Sequence, residues 1–319
     1  MTHKELRLIR KLMGIFMPYL ARQLDRVRRD SRRMVHYTSA ENLFKILSSR
    51  TIWMRNANCM VDYREVQHGS EMLADFFNET THRSDFCIAL NACHPNIGEE
   101  SLRLFDQWWG NIRVNTYICS ISEHQEQENT HGRLPMWRAF GQQSRARAAV
   151  VIRLPEIGSL ESLHLIASPV AYFEHPELEH EFLGIIRQIN ENDNFLRTIP
   201  PEHLKELVFS MLVSFAVSIK HKGFLEEKEW RIIYLPQASP SPFVEQSLVV
   251  IDGIPQDIYK IPLQDAVGLG IPSLVDRIII GPTAYGIPIY TTFVDLLGQA
   301  GVPEPEKRVV FSEIPIRSS

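Results

Sequence analysis

Short apolar runs dominate the last third of the chain: EWRIIYLP, QSLVVID, YKIPL, VDRIIIGP and RVVFSEIPI follow one another with little room for helices between them. Runs of this length, rich in Val, Ile and aromatic residues, predict strands. They must pair with strands laid down much earlier. The nearest earlier candidates are MVHYTS and TIWM, which flank the helix-like AENLFKILSSR, and NTYICSIS and AAVVIRL further on. In AENLFKILSSR, Ser39 is a candidate cap, and Leu43, Ile46 and Leu47 form the buried side.

Residues 66–80 and 98–112 predict helices, separated by SDFCIALNACHPN, which reads as a strand or a helix end. LHLIASPVAYF resembles a strand pair, LEHEFLGIIRQINE and PEHLKELVFSMLVSFAVSIKH predict strongly apolar helices, and the polar EHQEQENTHGR predicts an exposed loop. With no internal repeat and no clear linker, this order predicts an α+β fold: a single mixed domain with a strand-rich core and helical insertions, spanning residues 34–319. Residues 1–33 precede it as a basic, amphipathic helical arm, bent near Pro18.

Charge sets that arm apart. The net charge of the 319 residues is -4, yet Met1 to Arg33 carries ten Lys or Arg against three Asp or Glu, so the arm is +7 and the remainder -11. Such a segment predicts either a helix packed with its arginines in water, or a contact with a nucleic acid or protein acceptor. No run reaches the roughly 18 to 20 apolar residues of a spanning helix, and the four cysteines are few and widely spaced. The expectation is a cytoplasmic protein, with no transmembrane segment and with Cys59, Cys87, Cys93 and Cys119 as reduced thiols.

Chemistry is concentrated in HKGFLEEKEWRIIY. On a strand, Glu227 and Glu229 would share one face roughly 6 to 7 Å apart, with Trp230 on the other. Two carboxylates so close perturb each other's protonation and suit acid/base work or the binding of a cationic or hydroxyl-bearing group. A salt-bridged surface turn explains the same residues. His36 and Thr38 likewise share a face of the first strand, opposite Tyr37 and Ser39; an imidazole, a hydroxyl and an aromatic ring there suit a nucleotide. Asp62 and Glu65 form an acidic pair at a turn. In MWRAFG, Trp137 and Arg138 could border a ligand pocket, with Trp137 as a core anchor the equal alternative. Walker, dinucleotide-fold, HExxH, GxSxG and zinc signatures are absent.

The order of HYTSAENLFKILSSRTIWM, MVDYRE, YICSIS, MWRAFG, AYF, IKHKGFLEEKEWRI, DRIIIGP and FSEIPIR resembles a prokaryotic family known as a domain of unknown function and associated with abortive infection and phage defence. The likeness runs over most of residues 34–318. MVDYRE departs from the Asn-Asp-Pro turn of that family, and SRARAA stands where a Gly is expected. More distantly the layout resembles ADP-ribosyltransferases.

That second resemblance implies NAD as the ligand. His36 would hold the nicotinamide ribose, Tyr37 or Thr38 would contact the ligand, Glu229 would stabilise the oxocarbenium-like sugar, and Glu227 would orient or deprotonate the acceptor. Ser120 and Ser122 would replace the Ser-Thr-Ser motif. The expected function is therefore an NAD-dependent ADP-ribosyltransferase or NAD glycohydrolase in bacterial defence. One alternative is a Mg²⁺-dependent nuclease using Asp62, Glu65, Glu227 and Glu229, with Arg28, Arg29, Arg32 and Arg33 tracking phosphates. The other is a non-catalytic defence sensor or adaptor.

Overall fold

A computed structural model of the chain describes residues 3–30, 33–60, 64–140, 146–155, 158–251 and 253–314, with backbone alone at 64–66. The N-terminal half runs α1 (His3–Phe16), α2 (Pro18–Asp30), β1 (Arg33–Ser39), α3 (Ala40–Ser49), β2 (Thr51–Asn56), α4 (Arg64–Asn78), α5 (Thr80–Asn91), α6 (Ile97–Asn115), β3 (Tyr117–Glu123), α7 (Leu134–Ala139) and β4 (Arg147–Arg153). The remainder runs α8 (Ser159–Ser162), β5 (Ile166–Pro169), α9 (His175–Glu191), α10 (Asp193–Leu196), α11 (Pro201–Ser218), β6 (Glu229–Tyr234), β7 (Glu245–Ile251), β8 (Ile254–Pro262), α12 (Ile271–Leu274), β9 (Val275–Ile280), α13 (Gly286–Gln299) and β10 (Val309–Phe311). The result is one mixed α+β domain built on a ten-stranded sheet.

Local signals explain several of these boundaries. The Ser39 hydroxyl accepts the Asn42 N–H at 3.0 Å and starts α3, which ends where Arg50 turns left-handed (φ 52°) and gives its N–H to Ile46. Leu43, Ile46 and Leu47 are the buried side of that helix, as their spacing predicts. Pro18 opens α2 one residue after α1 ends, producing the expected bend. SDFCIALNACHPN is mostly helical, because Phe86, Cys87, Ala89 and Leu90 bury themselves between neighbouring helices. LHLIASPVAYF gives one strand, β5, rather than two; past Pro169 only a bridge from Ala171 to Ile219 remains.

The two N-terminal helices lie against the domain. Ile15 and Phe16 enter the largest apolar cluster, Val27 enters a second, and Arg22 and Arg26 pair with Glu181 and Glu123. Burying side chains of this size contributes about 1.5–3 kcal/mol each.

The sheet forks at β3. One edge of β3 is filled by β6 from Tyr117 to Ser122. The other edge is shared: β2 pairs only at Tyr117 and Ile118, and β1 only at Ser122 and Glu123. Beyond these short contacts β1 joins β4 and β9, whereas β2 joins β8 and β7. Helices α3, α12 and α13 pack one face of this branched sheet. The opposite face carries two separate apolar clusters, one under α1, α4, α5, α6, α9 and α11 and a smaller one under α7.

Candidate functional site

Between those two clusters the sheet face is polar. Alternation along β3 puts Ile118, Ser120 and Ser122 on this face, and the register Ser122 to Glu229, Ser120 to Arg231 and Ile118 to Ile233 adds Glu229 and Arg231 from β6. Ser168 of β5 lies beside Arg231, and Val35 of β1 lies beside Ser122. Apolar residues flank this strip, Ile118 and Ile233 at one end and Val35 and Tyr37 at the other.

Glu229 is its centre, with 6% of the side chain exposed. One carboxylate oxygen accepts from Ser120 Oγ at 2.6 Å and Arg231 Nε at 3.1 Å; the other meets Lys220 Nζ at 3.3 Å and Arg231 Nη2 at 3.4 Å. A carboxylate offers about four lone-pair sites, so this one is filled. Burial alone would raise its pKa, but Arg231 and Lys220 outweigh that and bring it down to about 2. Arg231 also donates through Nη1 to the Val217 carbonyl. The Glu229 N–H donates to the Tyr172 hydroxyl at 2.9 Å; burial raises the pKa of that phenol.

Glu227 reaches the same ammonium by another route. It ends a 3₁₀ segment, Lys222–Glu227, and Lys228 then turns left-handed (φ 45°) before β6 begins. The expectation that Glu227 and Glu229 share a strand face is therefore corrected: the left-handed residue breaks the two-residue alternation. Lys220 Nζ nevertheless binds Glu227 at 2.8 Å, and also lies 4.4 Å above the centre of the Phe224 ring. Glu227 is the more accessible carboxylate, 18% exposed.

The 3₁₀ segment is held by Arg133. Its Nη1 donates to the carbonyls of Glu226 and Glu227 at 2.8 and 3.0 Å, its Nη2 to the Glu123 carbonyl at 2.7 Å, and its Nε pairs with Glu128 at 2.9 Å. The stretch EHQEQENTHGR is thus only partly the exposed loop its polarity predicts. His124 is fully buried, and Glu128 folds back to accept the Gln125 N–H at 3.0 Å.

The remaining candidates divide. His36 sits in the fork, half-buried, with Nδ1 2.9 Å from the Ser120 carbonyl; burial lowers its pKa, against the raising effect of that hydrogen bond. By strand alternation it lies on the face opposite Tyr37, and so opposite Glu229. Thr38, on the same side of β1 as His36, is half-buried. The Tyr37 hydroxyl accepts the Arg133 N–H at 2.8 Å, and burial pushes its pKa up to about 12. Its ring meets Trp137 edge-on at 4.9 Å. Trp137 is a core residue, donating from Nε1 to the His131 carbonyl at 2.7 Å, and Arg138 stands exposed on α7. Asp62 and Arg32, with the side chain of Glu65, lie outside the described residues.

Lys220, Arg231, Tyr172 and Arg133 were not foreseen as site residues. A signal for Arg231 was present: a guanidinium in the apolar run WRIIY must enter the core, and a buried charge needs a partner.

Among the described residues, no group of three or more His, Cys, Asp or Glu side chains is arranged to hold a metal, and no helix is long and apolar enough to cross a membrane. Comparison of the chain with protein-family models, with curated proteins and with solved structures gave no match.

Proposed function

We propose that the strip is a nucleotide site and that the chain cleaves NAD or transfers its ADP-ribosyl group, the activity implied by the resemblance to ADP-ribosyltransferases. The observation that supports this reading is the grip of Lys220 on Glu227 and Glu229 together. A reaction that develops positive charge at a ribose carbon needs a fixed carboxylate, and a preorganised charge of that kind is worth several kcal/mol in the transition state.

The geometry changes the expected division of roles. Glu229, with its oxygens occupied, is a positioning residue that holds Lys220 and Arg231. Glu227, closer to solvent, is the carboxylate that would meet the ligand. His36 lies on the opposite face of the sheet and has Nδ1 engaged with the Ser120 carbonyl, so the ribose-holding role expected of it is not part of this reading. A Mg²⁺ site on Glu227 and Glu229 fits less well, because the Lys220 ammonium already lies within 3.3 Å of both.

The test is calorimetric titration of the full chain with NAD, together with chromatography of released nicotinamide. Wild type should bind NAD and release nicotinamide; Glu227→Gln, which leaves Lys220 its contact with Glu229, should stay folded with a lowered thermal midpoint and bind NAD within a few-fold, with turnover lost. Binding without turnover by wild type would mean an adaptor or sensor. Absence of both binding and turnover would overturn the proposal.

A further inference from the structure

A second cluster, far richer in positive charge, occupies one end of the sheet. Four adjacent strands lie in the order β10, β9, β4, β1, and each brings an arginine to this end: Arg308 just before β10, Arg277 on β9, Arg153 on β4 and Arg33 on β1. All four converge on Asp276. Arg153 Nη2 lies 2.9 Å from its Oδ1, Arg33 Nη1 and Arg277 Nε each 3.3 Å from Oδ2, and Arg308 Nη1 3.6 Å from Oδ1.

The backbone explains how this happens. Val151 pairs with Arg277 and Ile152 with Val275, so Asp276 is the extra residue of a β-bulge on β9. A bulge re-aims the side chain it carries and is a recurrent feature beside functional sites. On the neighbouring ladder Arg33 is directly opposite Arg153, a like-charge pair that destabilises a sheet unless an anion stands near it. Asp276 supplies one such anion, but one carboxylate cannot neutralise four guanidiniums. Some of their N–H groups also meet neutral acceptors, Arg33 Nη1 the Asn129 side chain at 2.8 Å and Arg153 Nη1 the carbonyls of Ser273 and Val275 at 3.1 and 3.2 Å, which take up donors without cancelling charge. Arg153 and Arg308 are also partly exposed, at 40% and 31% of the side chain.

We propose that this arginine cluster is a binding site for a phosphate or diphosphate group. Planar guanidinium forks match phosphate oxygens bidentately, which favours phosphate over a monovalent inorganic anion. Because all four groups lie within hydrogen-bonding or ion-pair distance of one side chain, the site is compact and suits one or two linked phosphates. Such a group can come from a free nucleotide or from a nucleic acid backbone, and the proposal does not depend on NAD being a substrate.

The experiment uses the full chain and inorganic pyrophosphate, followed by thermal shift and calorimetry against chloride at matched ionic strength. Wild type should bind pyrophosphate and gain thermal stability from it. Arg153→Ala/Arg308→Ala should weaken binding at least ten-fold, and Arg153→Lys/Arg308→Lys, which retains the charge but loses the planar fork, should weaken it measurably yet less than the alanine pair. If the alanine pair does not fold, Arg308→Ala alone, compared with Arg308→Lys, gives the same reading. Competition by ADP would identify a nucleotide as the source, and competition by a single-stranded 12-mer alone would identify nucleic acid. Equal stabilisation by chloride, or undiminished binding by the alanine variants, would overturn the proposal.

Discussion

Lys220 Nζ and Glu229 Oε2 lie 3.3 Å apart in a place where neither residue exposes more than 6% of its side chain. Removing one member of such a buried pair strands the other charge, at a cost of about 3–5 kcal/mol. Lys220→Met should lower the free energy of unfolding by that amount in urea titrations. Lys220→Met/Glu229→Gln should cost clearly less than the sum of the single changes. Additive effects would show that the two charges are not coupled.

Acid should unfold the protein in two stages. His36 and His124 have folded pKa values lowered below 6.5 by burial, so the unfolded chain takes up protons first and stability falls as pH drops through about 6.5. Glu229 is depressed from 4.5 to about 2, so its contribution is present above pH 4.5 and is lost as pH falls towards 2. That contribution is on the order of 3 kcal/mol. Glu128 and Asp276, also lowered, act in the same direction. Unfolding midpoints measured across this range should show both declines, with the lower one shallower in Glu229→Gln. An unchanged lower limb in that variant would remove Glu229 from the account.

Helices α4 and α11 approach so closely at Gly69 that an added Cβ would stand 2.3 Å from the Ala216 carbonyl oxygen. Gly69→Ala should therefore destabilise by about 1–3 kcal/mol. Gly14 in α1 has nothing within 4 Å of the same position, so Gly14→Ala should be neutral or stabilise by up to about 1 kcal/mol. Paired thermal melts decide both, and equal midpoints for the two variants would contradict the packing at Gly69.

Residues 3–30 behave as part of the fold in packing terms, whatever else their charge does. Phe16→Ala should cost about 3–5 kcal/mol, the usual loss for a buried phenylalanine. A chain lacking residues 1–30 should expose the surface beneath Ile15, Phe16 and Val27 and lose its cooperative melt. A deletion that melts like the full chain would show the helices to be dispensable.

Much of this architecture was readable from local pattern. Runs such as WRIIY and DRIII are strands because branched and aromatic side chains leave few alternatives, and Ser39 marks the start of α3 through its hydroxyl. What escaped was whatever depended on distant partners. SDFCIALNACHPN satisfies either helix or strand until helices α4, α6 and α9 supply the surface that buries it. Glu227 and Glu229 have strand-like spacing, but Arg133, about 90 residues earlier, holds the carbonyls of Glu226 and Glu227 in a 3₁₀ turn that ends at Glu227. The buried ion network of Lys220, Glu229 and Arg231 needed the β3 to β6 register before Ser120 could be seen beneath it. The four-arginine cluster is least visible of all, because three of its members come from separate strands and the fourth, Arg308, from the residue preceding another.

The shared edge of β3 also has a meaning in time. Strand β2 finds its long partner, β8, roughly two hundred residues later in the chain, with Met54 opposite Tyr259. At a synthesis rate of about 5–20 residues per second, β2 leaves the ribosome about 10–40 s before the strand that will cover it. During that interval one arm of the fork has an open edge, a template for pairing with other nascent chains. Production of this protein should therefore be more sensitive to chaperone supply during translation than its finished stability would suggest.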